Sequence, residues 1–468
     1  MTLIVVLLLI FGYLLIATGH LTGVNKAAIA MFIGTAGWVV YVCWGADFVM
    51  DRHPDEYADF LAGGEPSSDA VKYYIYDNVF LYYVGRAASI VMFLLATMTI
   101  VEILNNNGCF DFIVEWIRTS NSKQLLWTIT LATFVLSANL DNLTITTMML
   151  VIMHQIVHSR RQRMLIGAAI VVASNCGGCF TVIGDAAGLI LWGDSSVTAT
   201  NFSAYLLLPA VTAWVITTIF ISRQLPNKLD TEWTPPPYRG DDTNLNRWQR
   251  LVMLFVGLGG LWFIPTFHNI TKLSPALGAM CVLSVLWVVN EAFNRKLMDS
   301  DQMSQRRMPR ALQYGTIQQM LFVMGIMLGM GVMTETGVFG DIAAWIDSNI
   351  HNIWIEGFIA GLLSAIVDTF TIAVTNLSLY PLVDGSQLAS LADSEYMANY
   401  IQNGAFWKVT AYCTAVGGCL LSVGSTSGLA LMKMEHIRLG WYLRHLSPTI
   451  LVAWLVGLLV LWGETMLF

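Results

Sequence analysis

Ten stretches of this chain are apolar for about the 20 residues a helix needs to cross the hydrocarbon core of a bilayer, and their recurrence constrains the fold more than any other feature. They lie near 2–18, 26–46, 78–104, 165–192, 203–222, 248–266, 275–292, 317–335, 405–432 and 446–463. Only 12% of the 468 residues are charged, against 56% hydrophobic, roughly half the charged fraction of a soluble domain. The expected fold is an all-α polytopic membrane protein, not a soluble domain with one anchor. The first run, Thr2 to Ala17, lacks the basic flank of a cleaved leader and reads as the first span. The cysteines show no paired spacing in the loops, so no disulfide framework is inferred.

Basic residues orient the spans, because short loops rich in Lys and Arg stay in the cytoplasm. Arg118 and Lys123, then Arg160, Arg161 and Arg163, mark two such loops. The 223–250 linker, Arg295 to Arg310, and Lys433 to Arg444 mark three more. The 49–76 loop has an acidic excess, and 193–203, 338–352 and 384–404 contain no Lys or Arg. These face outside, and both termini follow them. Under this assignment the stretches 123–158 and 353–383 enter and leave on the same side, so each is expected to be a re-entrant hairpin, the first dipping from the cytoplasm and the second from outside.

Three blocks recur in the same order in the two halves. "NNNGCFDFIVEWI" (105–117) aligns with "TETGVFGDIAAWI" (334–346) on Gly108/Gly337, Phe110/Phe339 and Trp116/Trp345. "SANLDN" (137–142) aligns with "SAIVDT" (364–369), and "GGCFTVIGDAAG" (177–188) with "GGCLLSVGSTSG" (417–428). Five spans and a hairpin per half make the second copy inverted. The expected organisation is a first repeat over 1–222, a cytoplasmic linker at 223–247 and a second repeat over 248–468. Spans 165–192 and 405–432 are expected to be broken helices, whose unwound backbone is tolerable at membrane depth only where it lines a cavity or binds an ion. The Gly pairs 177–178 and 417–418 suit such breaks through unusual backbone angles and close approach. Tight helix packing is the blander reading of the same pairs.

With these residues in hand, the chain resembles the NhaD-type sodium/proton antiporters of the ion transporter superfamily, which also holds arsenite permeases and sodium/dicarboxylate symporters. The resemblance covers about residues 80–450. It rests on "ATMTIVEILNNNGCFDFI" (95–113), "SANLDNLTIT" (137–146), "NCGGCFTVIGD" (175–185), "SAIVD" (364–368) and "GGCLLSVGSTSGLALMKMEHI" (417–437). It implies exchange of Na⁺ or Li⁺ for H⁺ by alternating access, a two-hairpin fold, a homodimer with moving transport domains, and no cofactor beyond the transported cation. Its partners would be small inorganic cations, protons and the lipid bilayer, with no nucleic acid, in a bacterial cytoplasmic (inner) membrane. Two departures stand out. The family pattern places two Thr shortly after the Asp of "GD", where this chain has Ala187 and Gly188, and its second hairpin reads "DN" where this chain has Asp368 and Thr369.

Asp141 and Asp185 are the leading site residues. A charge at the bilayer centre costs roughly 2.5–3.5 kcal/mol even on the lenient insertion scale, so it marks function by default. A desolvated carboxylate can hold a proton or a cation in turn, which is the chemistry exchange requires. Asp141 would equally suit a helix N-cap. Hard cations take oxygen ligands, and Ser137, Asn139, Asn142, Thr144, Asn175 and Thr181 offer them beside the two carboxylates. About half of these are expected to cap helices instead. A Na⁺ site is expected at Asp141, Asn142, Asn175 and Asp185. In the second copy Ser364, Asp368, Thr369, Ser422, Ser425 and Thr426 fill the corresponding ground, with Ser425 opposite Asp185.

Glu102 and Glu335 end their spans beside the repeated Gly–Phe pattern, and His154 and His158 lie at the foot of the first hairpin. Each fits a pH response, and each fits an ordinary solvated boundary residue better. Arg86, inside a span, is expected to pair with an acid or to snorkel. In "CGGC" (176–179) only Cys179 recurs, as Cys419, so apolar packing is a better reading than a redox or metal dithiol. Two other classes compete with antiport: an anion or oxyanion carrier of the same fold, for arsenite or a carboxylate, and an intramembrane aspartyl protease. "VIGD" lacks the Gly that the protease motif places two residues before Gly–Asp, and the expected activity is transport, not catalysis.

Overall fold

The computed structural model describes residues 2–117, 119, 121–228, 245–294, 310–386, 388 and 393–467. Arg118, Arg239, the basic run 295–309 and most of the 223–247 linker lie outside the described residues. Among the described residues the chain is helical, with only two isolated β-bridges.

The first half runs through α1 (Thr2–Thr22), α2 (Lys26–Cys43) and α3 (Ser68–Asn106), then α4 (Ser122–Ser137), α5 (Asn142–Ile156), α6 (Arg160–Cys179), α7 (Ala186–Gly193) and α8 (Ala199–Gln224). The second half runs through α9 (Arg247–Thr271), α10 (Pro275–Asn294) and α11 (Arg310–Glu335), then α12 (Ile353–Ile366), α13 (Thr369–Leu379), α14 (Ala405–Gly417), α15 (Thr426–Glu435) and α16 (Ser447–Leu467). Among the described residues seven helices are long and apolar enough to cross a membrane: α2, α3, α8, α9, α10, α11 and α16. The expected hairpins are the pairs α4–α5 and α12–α13. The expected broken spans are α6–α7 and α14–α15.

Local chemistry sets the boundaries. Asn25 accepts from Ala27 N to start α2, and Asn121 and Asn352 cap α4 and α12 in the same way. Gly108 and Gly337, the repeated glycines, both take left-handed backbone (φ +65° and +76°), which ends α3 and α11 with little steric cost. That angle requirement explains why the two positions match.

Helices α6 and α14 form the centre. Every side chain from Leu165 to Cys179 and from Phe406 to Gly417 is buried. Around them the pairings recur with the halves exchanged. The first leg of each hairpin packs on the broken helix of its own half, α4 on α6 and α12 on α14. The second leg of each packs on the short helix of the other half, α5 on α15 and α13 on α7. In the same manner α2 packs on α11 and α3 on α10. Large apolar side chains point outward from the rim, including Phe11 on α1, Trp262 on α9, Val288 on α10 and Leu459 on α16. A water-soluble protein would not carry so continuous an apolar rim.

The glycine pairs act through close approach and not through unusual angles. Helix α6 continues through Gly177 and Gly178 and breaks only after Cys179. A Cβ on Gly177 would lie 2.3 Å from Phe134 O, and one on Gly178 would lie 2.1 Å from the side-chain amide of Asn142. In the second half a Cβ on Gly417 would meet Gly361 O at 2.8 Å, and one on Gly418 would meet Thr369 Cγ2 at 2.3 Å. The blander packing reading therefore describes the glycines of the first half, whereas α14 ends at Gly417 and its break begins within the glycine pair.

Candidate functional site

Each hairpin tip is pressed against the break of its broken helix by a repeated set of hydrogen bonds. Ser137 Oγ donates to Ser174 O at 2.8 Å, and Ser364 Oγ donates to Thr414 O at 2.7 Å. The amide of Asn142 donates to Gly184 O at 3.1 Å and to Ser137 Oγ at 2.7 Å. At the matching place in the second half, the backbone N–H of Thr369 donates to Gly424 O at 3.1 Å. The loss of a carboxamide at Thr369 therefore leaves the staple intact, because the main chain makes it. Gly184 and Gly424 complete the contact, each with hairpin backbone 2.5–2.6 Å from where a Cβ would stand.

These staples change the expected ligand list. Asn142, Ser137 and Ser364 hold backbone to backbone. Thr181 accepts from Gly184 N at 3.0 Å and donates to Ala138 O at 2.5 Å, so it too shapes the break. Asn139 turns back to Val135 O on its own helix at 3.1 Å. Asn175 is buried and donates to Val171 O at 2.9 Å. Ser425 accepts from Gly428 N as the cap of α15, and Thr426 begins that helix half-buried.

The carboxylates lie where the hairpins and breaks meet. Asp141 is buried and caps α5, its Oδ2 accepting from Leu143 N at 3.1 Å, Thr144 N at 3.2 Å and Thr144 Oγ1 at 3.3 Å. Its other oxygen, Oδ1, accepts from Gln319 Nε2 of α11 at 3.0 Å. Asp368 caps α13 in the same fashion, with Oδ2 accepting from Phe370 N at 3.1 Å and Thr371 N at 3.4 Å. Asp185 precedes α7 and lies within electrostatic reach of both Asp141 and Asp368. The capping role expected as the bland alternative for Asp141 is thus real, yet it uses only one of its two oxygens.

Buried oxygens without a hydrogen-bond partner occur at both junctions: Asp185 Oδ2 at the first break and Gln319 Oε1 on α11, and Asp368 Oδ1, Thr371 Oγ1 and Ser422 Oγ at the second tip and break. Leaving such an atom unpaired costs about 1–3 kcal/mol, and more for a charged group. Gln319 and Thr371 were not expected from sequence. Thr371 stands where Thr144 does, a signal the repeat alignment carried. Gln319 lies in an apolar span whose pattern gives no sign that it meets the first hairpin.

The remaining candidates separate into structural pairs. Arg86 pairs with Asp194 after α7. Glu335 is buried, against the expectation of a solvated boundary acid, because Tyr83 of α3 and His53, between helices Gly45–Arg52 and Pro54–Leu61, lie against it. Tyr83 OH donates to Glu335 Oε1 at 2.7 Å, and His53 Nε2 meets Oε2 at 2.8 Å. Glu102 is half-buried and has no polar partner among the described residues. His154 Nδ1 meets Glu435 Oε1 at 3.0 Å, whereas His158 is exposed and contributes its carbonyl to Arg163. Glu435 is itself buried and held by Arg163 Nε at 3.0 Å to both oxygens, another residue sequence reasoning missed. Cys176, Cys179 and Cys419 are buried thiols around α6 and α14.

With this geometry in view, comparison with known proteins gives a consistent picture. The profile of the citrate transporter family matches residues 1–392. Sodium/proton antiporter 1 of Arabidopsis thaliana is 30% identical over 80% of the chain, and the chain spans 61% of that protein's length. The Na⁺/H⁺ antiporter NhaD of Vibrio cholerae is 25% identical over 80% of the chain and 77% of its own. The motif resemblance to NhaD-type antiporters therefore extends over most of the sequence. In fold, the chain is similar to the Alcanivorax borkumensis YdaH transporter, with a TM-score of 0.54 and 13% identity over 90% of this chain and 97% of that one. Profile, relatives and fold neighbour are all transporters and none is an enzyme, and the chain belongs to the citrate transporter family.

Proposed function

We propose that the chain is a secondary active transporter that exchanges Na⁺ or Li⁺ for H⁺ by alternating access. The observation that carries this reading is the arrangement at Asp185. Asp185 is half-buried, lies within electrostatic reach of Asp141 and Asp368, and keeps its enclosed Oδ2 without a hydrogen-bond partner. A carboxylate in that position is satisfied either by a proton or by a small cation stripped of water. The two compete for one anionic pocket, and competition couples their movement in opposite directions.

Asp141 and Asp185 are the groups that bind cation or proton in turn. Because Asn142 and Thr181 are engaged in stapling the tip, the remaining ligands are drawn from Gln319 Oε1 and from carbonyls freed at the break. Thr144, which already bonds Asp141, and the buried Asn175 of α6 are the further candidates. The exchanged helix pairings and repeated staples support an inverted repeat with halves at 1–222 and 248–468. In that arrangement the hairpins and broken helices form a transport unit and α2, α3, α10 and α11 a scaffold. The charge pattern of the loops supports both termini outside a bacterial cytoplasmic membrane, and related transporters suggest a homodimer.

The family's description favours a second reading, a carrier of citrate-like anions. The carboxylates of Asp141 and Asp185 at the first crossing oppose it, since an anion would add charge of the same sign. Everted vesicles distinguish the two. Added Na⁺ or Li⁺, but not K⁺, is expected to dissipate a preformed pH gradient across an alkaline pH series. Absence of any cation-driven proton movement, together with uptake of labelled citrate, would replace this reading with the second.

A further inference from the structure

Lys26 opens α2, yet its ammonium reaches the second hairpin tip. Nζ donates to Val367 O at 3.3 Å and to Val423 O at 3.1 Å, and it lies 4.0 Å from Asp368 Oδ1. Val367 immediately precedes the capping Asp368 at the hairpin tip. Val423 sits in the α14–α15 break. One carbonyl from the tip, one from the break and a carboxylate are hard oxygen donors converging on a single positive charge, a donor set suited to a small hard cation. The carboxyl of Asp368 is 2% exposed and its Oδ1 makes no hydrogen bond, so the positive charge supplied to it is that of Lys26. Thr371 Oγ1 and Ser422 Oγ, from the same hairpin and the same break, are also buried without partners.

The matching positions in the first half are Leu140 O, Ile183 O and Asp141. There the contact from the scaffold is the neutral amide of Gln319 rather than an ammonium. The two crossings share their backbone and differ in what the scaffold places upon them. We infer that Asp368 and the carbonyls of Val367 and Val423 form a second monovalent-cation site, occupied by the chain's own Lys26 ammonium. The protein consequently takes a transported cation only at the Asp141–Asp185 crossing. Removing the tethered charge opens the second site to Na⁺ or Li⁺.

The inference rests on the cation-exchange reading, and the test separates the two. Radioactive Na⁺ bound to the purified full-length protein is counted by equilibrium dialysis. Wild type is expected to bind about one Na⁺ per chain, Lys26→Met about two, and Lys26→Met with Asp368→Asn about one again. Equal counts in wild type and Lys26→Met would overturn the inference while leaving cation exchange standing. No Na⁺ bound by wild type would instead sink the exchange reading at its first crossing. Asp368→Asn in the wild-type background gives an independent answer if Lys26→Met is recovered unfolded. It is expected to leave the number of bound Na⁺ unchanged, and loss of a bound Na⁺ in that variant would contradict the assignment.

Discussion

Gln319 Nε2 donates to Asp141 Oδ1 at 3.0 Å, tying α11 to the tip of the first hairpin while the buried Oε1 of the same amide has no partner. A hydrogen bond to a charged group is worth about 1.5–3 kcal/mol. Gln319→Leu removes a bond that favours the ionised, cation-binding form of Asp141, and it removes an oxygen donor as well. The apparent Na⁺ affinity of exchange is expected to fall roughly tenfold or more. A Na⁺ titration of proton efflux in vesicles checks this, and an unchanged half-maximal Na⁺ concentration would show that Gln319 is a bystander.

The glycine pairs predict a stability effect that depends on position. A methyl on Gly177 meets backbone at Phe134, and one on Gly178 meets both Asn142 and the carbonyl of Gly184. Overpacking of this kind costs about 1–3 kcal/mol. Gly177→Ala and Gly178→Ala should lower the melting temperature of the detergent-purified protein. Gly193→Ala, where nothing lies within 4 Å, should leave it unchanged.

Glu435 is the common anchor of Arg163 and His154 at the foot of the first hairpin. Its carboxylate is 1% exposed and Arg163 is 16% exposed. Removing one partner of a buried ion pair leaves the other uncompensated, at a cost of about 3 kcal/mol. Glu435→Gln is expected to destabilise the fold by an effect of that order, whereas His154→Gln, at a half-exposed position, should do little. Thermal melts of both variants decide the point.

Outside the membrane, His53 supplies a pH response. Burial alone would lower its pKa, but hydrogen bonds and charge from Glu335, then from Glu56, outweigh burial and leave it raised above 6.5. A raised value means that protonated His53 stabilises the folded loop fully below about pH 6.5, and that this contribution is lost as pH rises through the raised value. Tyr74 also donates to Glu56 and Tyr83 to Glu335, while Arg52 lies beside Gly337. After division by the base-catalysed intrinsic rate, the hydrogen-exchange protection of residues 45–61 is expected to fall on alkalinisation in wild type. His53→Ala should show low protection at every pH, and wild-type protection that does not change with pH would contradict the assignment.

Much of this architecture is legible in the sequence because membrane physics is severe. Apolar length marks the seven long helices found among the described residues, while the expected first span 2–18 falls among the shorter apolar helices. The blocks "SANLDN" and "GGCFTVIGDAAG" identify tip and break together, since an Asp and a polar run have few other uses at that depth. What the sequence conceals are contacts between distant helices. Lys26 reads as a boundary lysine and Gln319 as a stray polar residue, because their partners are 341 and 178 residues away. Asn142 and Thr181 look like ligands by composition. Their bonds to Gly184 and Ala138 depend on a loop geometry that residue type does not encode. Glu335 reads as solvated for the same reason, since the His53 and Tyr83 that hold it lie 282 and 252 residues away.

The central claim is that Asp141 and Asp185 carry cation and proton alternately. Na⁺- or Li⁺-driven proton movement in everted vesicles containing wild type, Asp141→Asn or Asp185→Asn tests it most directly, with protein levels matched by immunoblot. Exchange is expected in wild type and is expected to be abolished in both variants. Wild-type rates of exchange in both variants would contradict the account.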